Sequence, residues 1–234
     1  MTVPLVFAPG LNCTAELFSR QAERFESERK VLFADTVSDA TVAAMAGRLL
    51  ASAPPQFALA GLSMGGYLAL EVMRLAPRRV AALALLNTNA RPDTDEGTQR
   101  RLRLMAMADA GRFEAVHSAM WPTLVHPERR GDAELESVVR RMAMAVGPEA
   151  FARQQRACIG RMDSRPFLGA ISAPTLVLTS EQDLLMPLET SQEMKDAIPG
   201  AELVIVPEAG HLSSLEQAEL VSEALAAWLG RSGA

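Results

Sequence analysis

The chain alternates short, continuous apolar runs with longer amphipathic stretches. The apolar runs have the length of buried strands, and strands are predicted at residues 4–8, 30–34, 56–61, 80–88, 174–180 and 201–207. The amphipathic stretches predict helices at residues 15–26, 41–52, 64–75 and 214–229. Strands separated by helices are typical of βαβ units, so the pattern predicts an α/β fold. Its central sheet is expected to be mostly parallel, with about six strands flanked by helices.

Residues 91–166 interrupt this alternation between the fourth and fifth predicted strands. They contain no strand-like run, and helical periodicity recurs at residues 98–110, 113–121, 133–146 and 148–160. An all-helical insertion at the carboxyl end of a parallel strand favours a cap over the ligand crevice, although a helical subdomain with no role in the site is the alternative. We therefore expect a core of residues 1–90 and 167–234 and a cap of residues 91–166.

Composition restricts the kind of protein. Of 234 residues, 49% are hydrophobic and 22% are charged, which is ordinary for a globular chain with a sizeable core. The net charge of −5 argues against nucleic-acid and anionic-membrane partners, which require clustered basic surface. The chain has neither a window of about 18 consecutive apolar residues nor a basic signal-peptide start. Only Cys13 and Cys158 are cysteines, which favours a reducing compartment, with one disulfide between them as the alternative. We expect a cytoplasmic protein, either a monomer or a homodimer.

The segment GLSMG, residues 61–65, matches the pattern G-x-S-x-G. Five residues alone are a weak signal, but an apolar strand precedes them and an amphipathic helix follows, as a nucleophile elbow requires. Gly61 and Gly65 lack the Cβ atoms that would collide with such a tight turn. The pattern predicts that Ser63 is a nucleophile, and the alternative is an N-capping serine in a glycine-rich turn.

A serine nucleophile needs a base, and the chain has three histidines. His117 and His126 fall in the helical insertion, without the spacing of a metal site, so packing in the insertion is the default interpretation. His211 follows the sixth predicted strand and precedes the last helix, which puts it on a loop at the same sheet edge as Ser63. His211 is therefore the predicted base.

The acid that orients the base is predicted after the fifth strand, in SEQDLLMP. Asp183 is preferred because Ser63, Asp183 and His211 follow the chain order of this kind of triad. Glu181, nearer the strand end, and Asp93, after the fourth strand, are the alternatives.

Two backbone amides are expected to bind the developing oxyanion. One belongs to Met64, directly after the nucleophile, and the other comes from the loop after the first strand. Pro9 has no amide hydrogen, so Leu11 is the better donor in that loop.

These segments together, PGL, GLSMGG, PTLVLTSEQDLLMP and PEAGHLSSLE, resemble the α/β-hydrolase superfamily, in particular its small serine-nucleophile, esterase-like branch. The resemblance covers nearly the whole chain. It implies that the helical insertion is a cap, that Ser63, Asp183 and His211 form a catalytic triad, and that Leu11 and Met64 are the oxyanion donors.

Two features depart from the superfamily. Pro9-Gly10 stands where His-Gly is usual, and the antiparallel strand pair that commonly precedes the first parallel strand is missing, which predicts a trimmed sheet. Ser63 stands where haloalkane dehalogenases and epoxide hydrolases carry Asp, which argues against those activities.

The function expected from these residues is hydrolysis of carboxylic esters with small or medium apolar acyl groups, with no cofactor and no metal. Apolar residues of the strand-end loops and the cap are expected to bind the substrate: Leu185, Met186, Leu212, Phe113, Met120 and Trp121. Lactones, thioesters and carbon–carbon bonds suit the same triad, and a hydrolase-like ligand receptor is the alternative from another class.

Overall fold

A computed structural model describes residues 2–234 and contains one six-stranded sheet. The strands are β1 (Leu5–Ala8), β2 (Val31–Phe33), β3 (Phe57–Leu62), β4 (Val80–Leu86), β5 (Thr175–Ser180) and β6 (Glu202–Val206). Their order in the sheet is β2-β1-β3-β4-β5-β6, and every pair of neighbours is parallel. The predicted α/β fold with about six strands is confirmed.

Burial follows strand position in the sheet. Every residue of β1, β3 and β5 is buried, whereas the edge strands β2 and β6 are largely half-buried or exposed. Strands covered on both faces need apolar side chains on both, which explains the unbroken apolar run FALAGL in β3. The carboxyl ends of the neighbouring strands β3, β4 and β5 therefore lie side by side in the buried middle of the sheet.

Helices cover both faces of the sheet. They are α1 (Ser19–Phe25), α2 (Val42–Ser52), α3 (Met64–Leu75), α4 (Asp95–Asp109), α5 (Phe113–Leu124), α6 (Ala133–Ile159), α7 (Arg165–Leu168), α8 (Leu188–Ala197), α9 (Ser213–Glu216) and α10 (Ala218–Ser232). Alternate side chains of β1 enter different cores: Val6 packs in the cluster that contains α2, α3 and α8, and Phe7 in the cluster that contains α1 and α10. None of the helices in residues 2–234 is long and apolar enough to cross a membrane.

Four helices, α4 to α7, lie between β4 and β5, and the first three form the insertion. The chain bends within α6 at Gly147, whose φ of 74° only glycine adopts readily, and Pro148 follows. The two halves match the two helices predicted at residues 133–146 and 148–160. A small core of its own holds the insertion together, made of Ala108, Phe113, Val116 and Phe151.

The structure differs from the sequence prediction in several helices: a 3₁₀ helix at Ala15–Phe18 precedes α1 in the predicted helix 15–26, and the short α7 was not predicted. The helix α8 was not predicted, because its sequence LETSQEMKDA carries few apolar residues; its buried Met194 nevertheless packs in the core beside the sheet. The predicted C-terminal helix is two helices, since the backbone of Gln217 (φ −131°, ψ 55°) is not helical. The short α9 that results starts two residues after His211.

Candidate active site

Ser63 occupies the sharp turn between β3 and α3. Its backbone has φ 57° and ψ −116°, a conformation that is strained for a residue with a side chain. Such strain persists only where the surrounding structure imposes it, and it is typical of functional positions. The side chain makes no capping hydrogen bond to α3, which argues against the interpretation of Ser63 as an N-cap.

The glycines on either side of Ser63 are required by close backbone contacts. A Cβ atom on Gly61 would lie 2.2 Å from the carbonyl oxygen of Gly65, and one on Gly65 would lie 1.9 Å from the carbonyl oxygen of Ala8. Both distances are impossible for real atoms, so the strand-to-helix turn can pass this point only with glycine. The steric reason for glycine at both positions of the G-x-S-x-G pattern, which the sequence analysis gave, therefore holds in the structure.

Strand β4 fixes the backbone of the turn. The amide of Ser63 donates to the carbonyl oxygen of Leu86 at 3.0 Å, and the hydroxyl of Thr88 donates to the carbonyl oxygen of Ser63 at 2.8 Å. Sequence reasoning missed Thr88, although a polar residue directly after a buried strand was a signal available for it. Hydrogen bonds therefore fix both the amide and the carbonyl oxygen of the strained serine.

His211 and Asp183 form a buried pair on the loops that follow β6 and β5. His211 Nδ1 lies 2.8 Å from Asp183 Oδ2, and only 3% of His211 and 8% of Asp183 is exposed. The other carboxylate oxygen, Oδ1, accepts the amides of Leu185 at 2.8 Å and Met186 at 3.0 Å. Because Nδ1 faces the carboxylate, Nε2 is the nitrogen left for chemistry, and His211 lines the same cavity as Ser63.

Asn87 connects this pair to the rest of the sheet edge, and sequence reasoning missed it. Its amide nitrogen donates to Asp183 Oδ2 at 2.9 Å and to Ser180 Oγ at 3.0 Å, and its amide oxygen accepts from Ser213 Oγ at 2.6 Å. It is fully buried and has a φ of 44°, which asparagine tolerates better than most residues. Its position directly after β4 was the available signal.

Opposing effects act on the Asp183 carboxyl. Burial on its own raises its pKa, but the His211 ring and the hydrogen bonds from His211, Asn87 and the Leu185 amide outweigh burial and hold the pKa below its usual value. Asp183 is therefore ionised at neutral pH. An ionised acceptor at this point fixes the orientation of the imidazole.

The alternative acids have other partners. The carboxylate of Asp93 accepts from Arg161 at 2.8 Å and from Arg101 at 3.3 Å. Glu181 is exposed, and its side chain accepts from the neighbouring Gln182. Neither is bonded to His211, so the geometry favours Asp183 among the three candidates.

The two remaining histidines have different surroundings. His117 is buried in the cavity wall, with Nε2 3.6 Å from Glu136, and burial lowers its pKa although the Glu136 carboxylate opposes that shift. His117 therefore packs in the insertion, as interpreted from the sequence, and also contacts the cavity. His126 Nδ1 accepts the amide of Glu128 at the start of a short 3₁₀ helix.

The predicted oxyanion donors, Leu11 and Met64, both line the cavity with Ser63. The loop after β1 approaches the serine closely, since a Cβ atom on Gly10 would lie 3.4 Å from Ser63 Cβ. Within residues 2–234 the amides of Leu11 and Met64 donate to no other group. Met64 is also the first residue of α3, where the helix dipole presents partial positive charge.

The cavity has a volume of about 290 Å³ and is formed by the strand-end loops and the helical insertion. Four of the predicted substrate-binding residues line it: Leu185, Met186, Leu212 and Met120. The volume is at the lower end of the range for small-molecule sites, and the lining is mainly apolar.

Two predicted substrate-binding residues, Phe113 and Trp121, lie elsewhere, so these assignments need correction. Phe113 packs on Phe151 inside the insertion, with ring centroids 5.4 Å apart. Trp121 is buried, and its indole nitrogen donates to the carbonyl oxygen of Arg130 at 2.9 Å. Both belong to faces of α5 that pack within the protein, whereas Met120 of the same helix lines the cavity.

His117 and four polar residues that the sequence did not single out also line the cavity: Asn12, Arg100, Arg101 and Gln155. They come from the loop after β1 and from the three helices of the insertion. The cavity wall therefore combines an apolar part with a cationic, hydrogen-bonding part.

Cys13 and Cys158 are both free thiols in the cavity wall, so the disulfide left open by the sequence is not formed. Burial raises the pKa of Cys13 to about 12 and also raises that of Cys158. Both thiols are protonated at neutral pH and are poor nucleophiles, so each acts as a small buried hydrophobe.

Comparison with known proteins assigns the family. The model of the alpha/beta hydrolase fold family matches residues 9–218. A putative carbamate hydrolase, RutD, of Klebsiella pneumoniae is 31% identical over 76% of this chain and 69% of its own length, and RutD of Variovorax paradoxus is 30% identical over 79% and 70%. The chain belongs to the alpha/beta hydrolase fold family, which confirms the resemblance found in the sequence.

Solved structures agree with this assignment. A thermophilic esterase from Thermogutta terrifontis, solved with malate bound, has a TM-score of 0.90 and 29% identity, covering 99% of this chain and 91% of its own. The enol-lactonase from Burkholderia xenovorans LB400 has a TM-score of 0.88 and 21% identity, covering 98% and 92%, and this likeness concerns the fold alone.

Proposed function

We propose that the protein is a serine hydrolase that cleaves carboxylic esters through an acyl-enzyme on Ser63. The observation that carries the proposal is the buried hydrogen bond between His211 and Asp183, beside a cavity that His211 and Ser63, in its strained turn, both line. A strained serine and a carboxylate-oriented histidine have no evident role in packing. In this family they make a nucleophile and its base.

The reaction begins with attack of Ser63 Oγ on the ester carbonyl. His211 Nε2 takes the hydroxyl proton, the Asp183 carboxylate stabilises the resulting imidazolium, and the proton then passes to the departing alcohol. Water, deprotonated by the same nitrogen, then attacks the acyl-enzyme, and the imidazolium returns its proton to Ser63 Oγ as the acid is released. Ser63 and His211 thus return to their starting protonation states.

The tetrahedral oxyanion is stabilised by the amides of Met64 and Leu11. Two amides that line the cavity beside Ser63 and have no acceptor in residues 2–234 are available for a charge that develops only during the reaction. Each such donor contributes roughly 2.7–4 kcal/mol to transition-state stabilisation in comparable sites.

The acyl part of the substrate packs against the apolar side of the cavity, made of Leu185, Met186, Leu212 and Met120. A cavity of about 290 Å³ suits a small or medium acyl group and excludes a long lipid chain. Lactones and thioesters present the same carbonyl geometry and belong in the same substrate panel. The two free thiols favour a reducing compartment, and we place the enzyme in the cytoplasm.

A carbamate is the second candidate substrate class, and the identity to the two RutD proteins favours it. Attack by Ser63 on a carbamate carbonyl would use the same base and the same oxyanion donors. Esters remain the first choice because the apolar side of the cavity matches an alkyl acyl group better than a carbamate nitrogen.

Turnover of an ester, lactone, thioester and carbamate panel tests the proposal. Ser63→Ala and His211→Ala are expected to lower kcat/KM for esters by at least about 10³-fold while the far-UV circular dichroism spectrum stays unchanged. Undiminished ester hydrolysis by Ser63→Ala would refute the mechanism. No turnover by the wild type, combined with tight ligand binding, would favour a receptor instead.

A further inference from the structure

The cationic side of the cavity carries positive charge that no acidic side chain among the described residues of the cavity lining balances. Two arginines line the cavity, and among residues 2–234 no Asp or Glu lines it. Arg100 is exposed, whereas only 15% of the Arg101 side chain is accessible. Arg101 is therefore the cation that a bound substrate would meet in a largely desolvated setting.

Arg101 shares a single carboxylate with a second arginine. Asp93 contacts Arg161 at 2.8 Å and Arg101 at 3.3 Å, and the side chains of Asp93 and Arg161 are 6% and 7% exposed. Arg161 has further partners, the carbonyl oxygen of Cys158 and the ring of Tyr67, whose centroid lies 4.3 Å away. Since arginine stays charged, this buried cluster carries one net positive charge, and Arg101 is the less well compensated of the two.

Two donors beside each other lack acceptors. Arg101 uses Nε for Asp93 and Nη1 for the amide oxygen of Gln155, at 2.8 Å, so its Nη2 donates to nothing within residues 2–234. Gln155 is 1% exposed, and across the same residues its amide nitrogen donates to no group either. Neither nitrogen is sealed from solvent and both residues line the cavity, so this pair of donors is open to an acceptor that the substrate supplies.

We propose that Arg101 and Gln155 bind a carboxylate that the substrate carries in addition to its scissile ester. A carboxylate is planar and accepts two hydrogen bonds in parallel, which suits a guanidinium edge and an adjacent amide. Its single negative charge balances the single excess positive charge, whereas a phosphate dianion would leave an uncompensated charge. The substrate class is then a hemiester or a lactone with a free carboxylate, an assignment that rests on the proposed ester hydrolysis.

Kinetics with two esters of equal acyl length test the subsite. Monomethyl glutarate and methyl pentanoate differ only in whether the acyl chain ends in a carboxylate or a methyl group, and a pH-stat measures both. The wild type is expected to prefer the hemiester in kcat/KM by about ten- to a hundredfold. Arg101→Met is expected to remove that preference, mainly through KM.

Matched variants separate recognition from folding. In Arg101→Met, Asp93 keeps its bond to Arg161, so no buried carboxylate is left unpaired. Arg101→Lys keeps the charge but loses the planar fork and is expected to retain part of the preference. Arg103→Met is the control, because Arg103 is exposed on the same helix and lies outside the cavity lining; it is expected to keep the wild-type ratio.

Ligand binding to the inactive Ser63→Ala protein tests the subsite without catalysis. Calorimetry is expected to detect glutarate binding, no binding of the neutral glutaramide, and a loss of glutarate affinity of at least tenfold when Arg101→Met is added. Glutarate binding through Arg101 in a protein that cleaves no ester would leave the subsite in place and refute only the proposed function. Equal kcat/KM for the two esters, an unchanged ratio in Arg101→Met, or phosphate binding as tight as glutarate would overturn the subsite.

Discussion

At the scale of single residues, the site depends on one asparagine as well as on the three predicted catalytic side chains. Asn87 donates to Asp183 and accepts from Ser213, so it links the carboxylate to the start of α9, two residues beyond His211. It lies outside the cavity lining, so we expect it to act by positioning Asp183 and, through Asp183, the imidazole.

Replacing Asn87 with leucine is expected to lower kcat by about ten- to a hundredfold, because Asp183 loses a hydrogen bond that fixes its orientation. The Asn87 amide also helps to lower the pKa of Asp183, so the variant should raise that pKa towards its value in the unfolded chain. A lowered folded-state pKa stabilises the protein above the unfolded value and loses its effect as the pH falls through the folded value. The Tm deficit of Asn87→Leu should therefore be largest at neutral pH and narrow below about pH 4.

Ser213→Ala is the control for this variant, since it removes a partner of Asn87 without touching Asp183. Its Tm deficit is expected to be independent of pH over the same range, with kcat changed less than in Asn87→Leu. A pH-independent deficit in Asn87→Leu would contradict the positioning role.

At the scale of elements, the candidate active site lies where tightly packed turns meet. The turn between β3 and α3 contacts the end of β1 through Gly65. The loop of His211 contacts the end of α5 in the same way, because a Cβ on Gly210 would lie 2.4 Å from the carbonyl carbon of Val125. The amide of Leu212 then donates to the carbonyl oxygen of Leu124. The helical insertion thereby helps to hold the loop that carries the predicted base.

Gly65→Ala is expected to destabilise the protein by about 3 kcal/mol or more, because its Cβ would lie 1.9 Å from the Ala8 carbonyl oxygen and one of the two elements must move. Urea unfolding measures the change. Gly47→Ala is the matched control: a Cβ there meets nothing within 4 Å in the middle of α2, so the substitution should stabilise by roughly 0.5–1 kcal/mol. Equal stability of both variants would show that the turn is not constrained as described.

At the scale of the whole molecule, the sequence predicted the elements that carry strong local patterns. The runs around β3, β4 and β5 were recognisable because a parallel strand covered on both faces must be continuously apolar. The helix α8 was not, since its few buried residues depend on contacts with the sheet. The helix break at Gln217 was not predictable either. It depends on how the chain turns after His211, and no local sequence pattern indicates that turn.

The residues of the candidate site also divide into those with a local sequence signal and those without one. Ser63 and its glycines were predictable because the turn geometry dictates them, and Asp183 and His211 because strand ends meet at one edge. Arg101 and Gln155 were not, because their contact joins segments distant in sequence. Asn87 had a signal in its place directly after β4, but that place alone does not reveal its bond to Asp183. Phe113 and Trp121 were misassigned because an apolar helix residue has the same sequence signature in a core and in a pocket.

A fluorophosphonate probe, read out by intact mass and by peptide mapping, shows whether Ser63 is the acyl acceptor. We expect one adduct per chain, located on the peptide that contains Ser63, absent from Ser63→Ala and formed far more slowly by His211→Ala. The buried thiols of Cys13 and Cys158 should remain unmodified. A wild-type protein that stays unlabelled, or an adduct that persists in Ser63→Ala, would contradict the role of Ser63 as acyl acceptor.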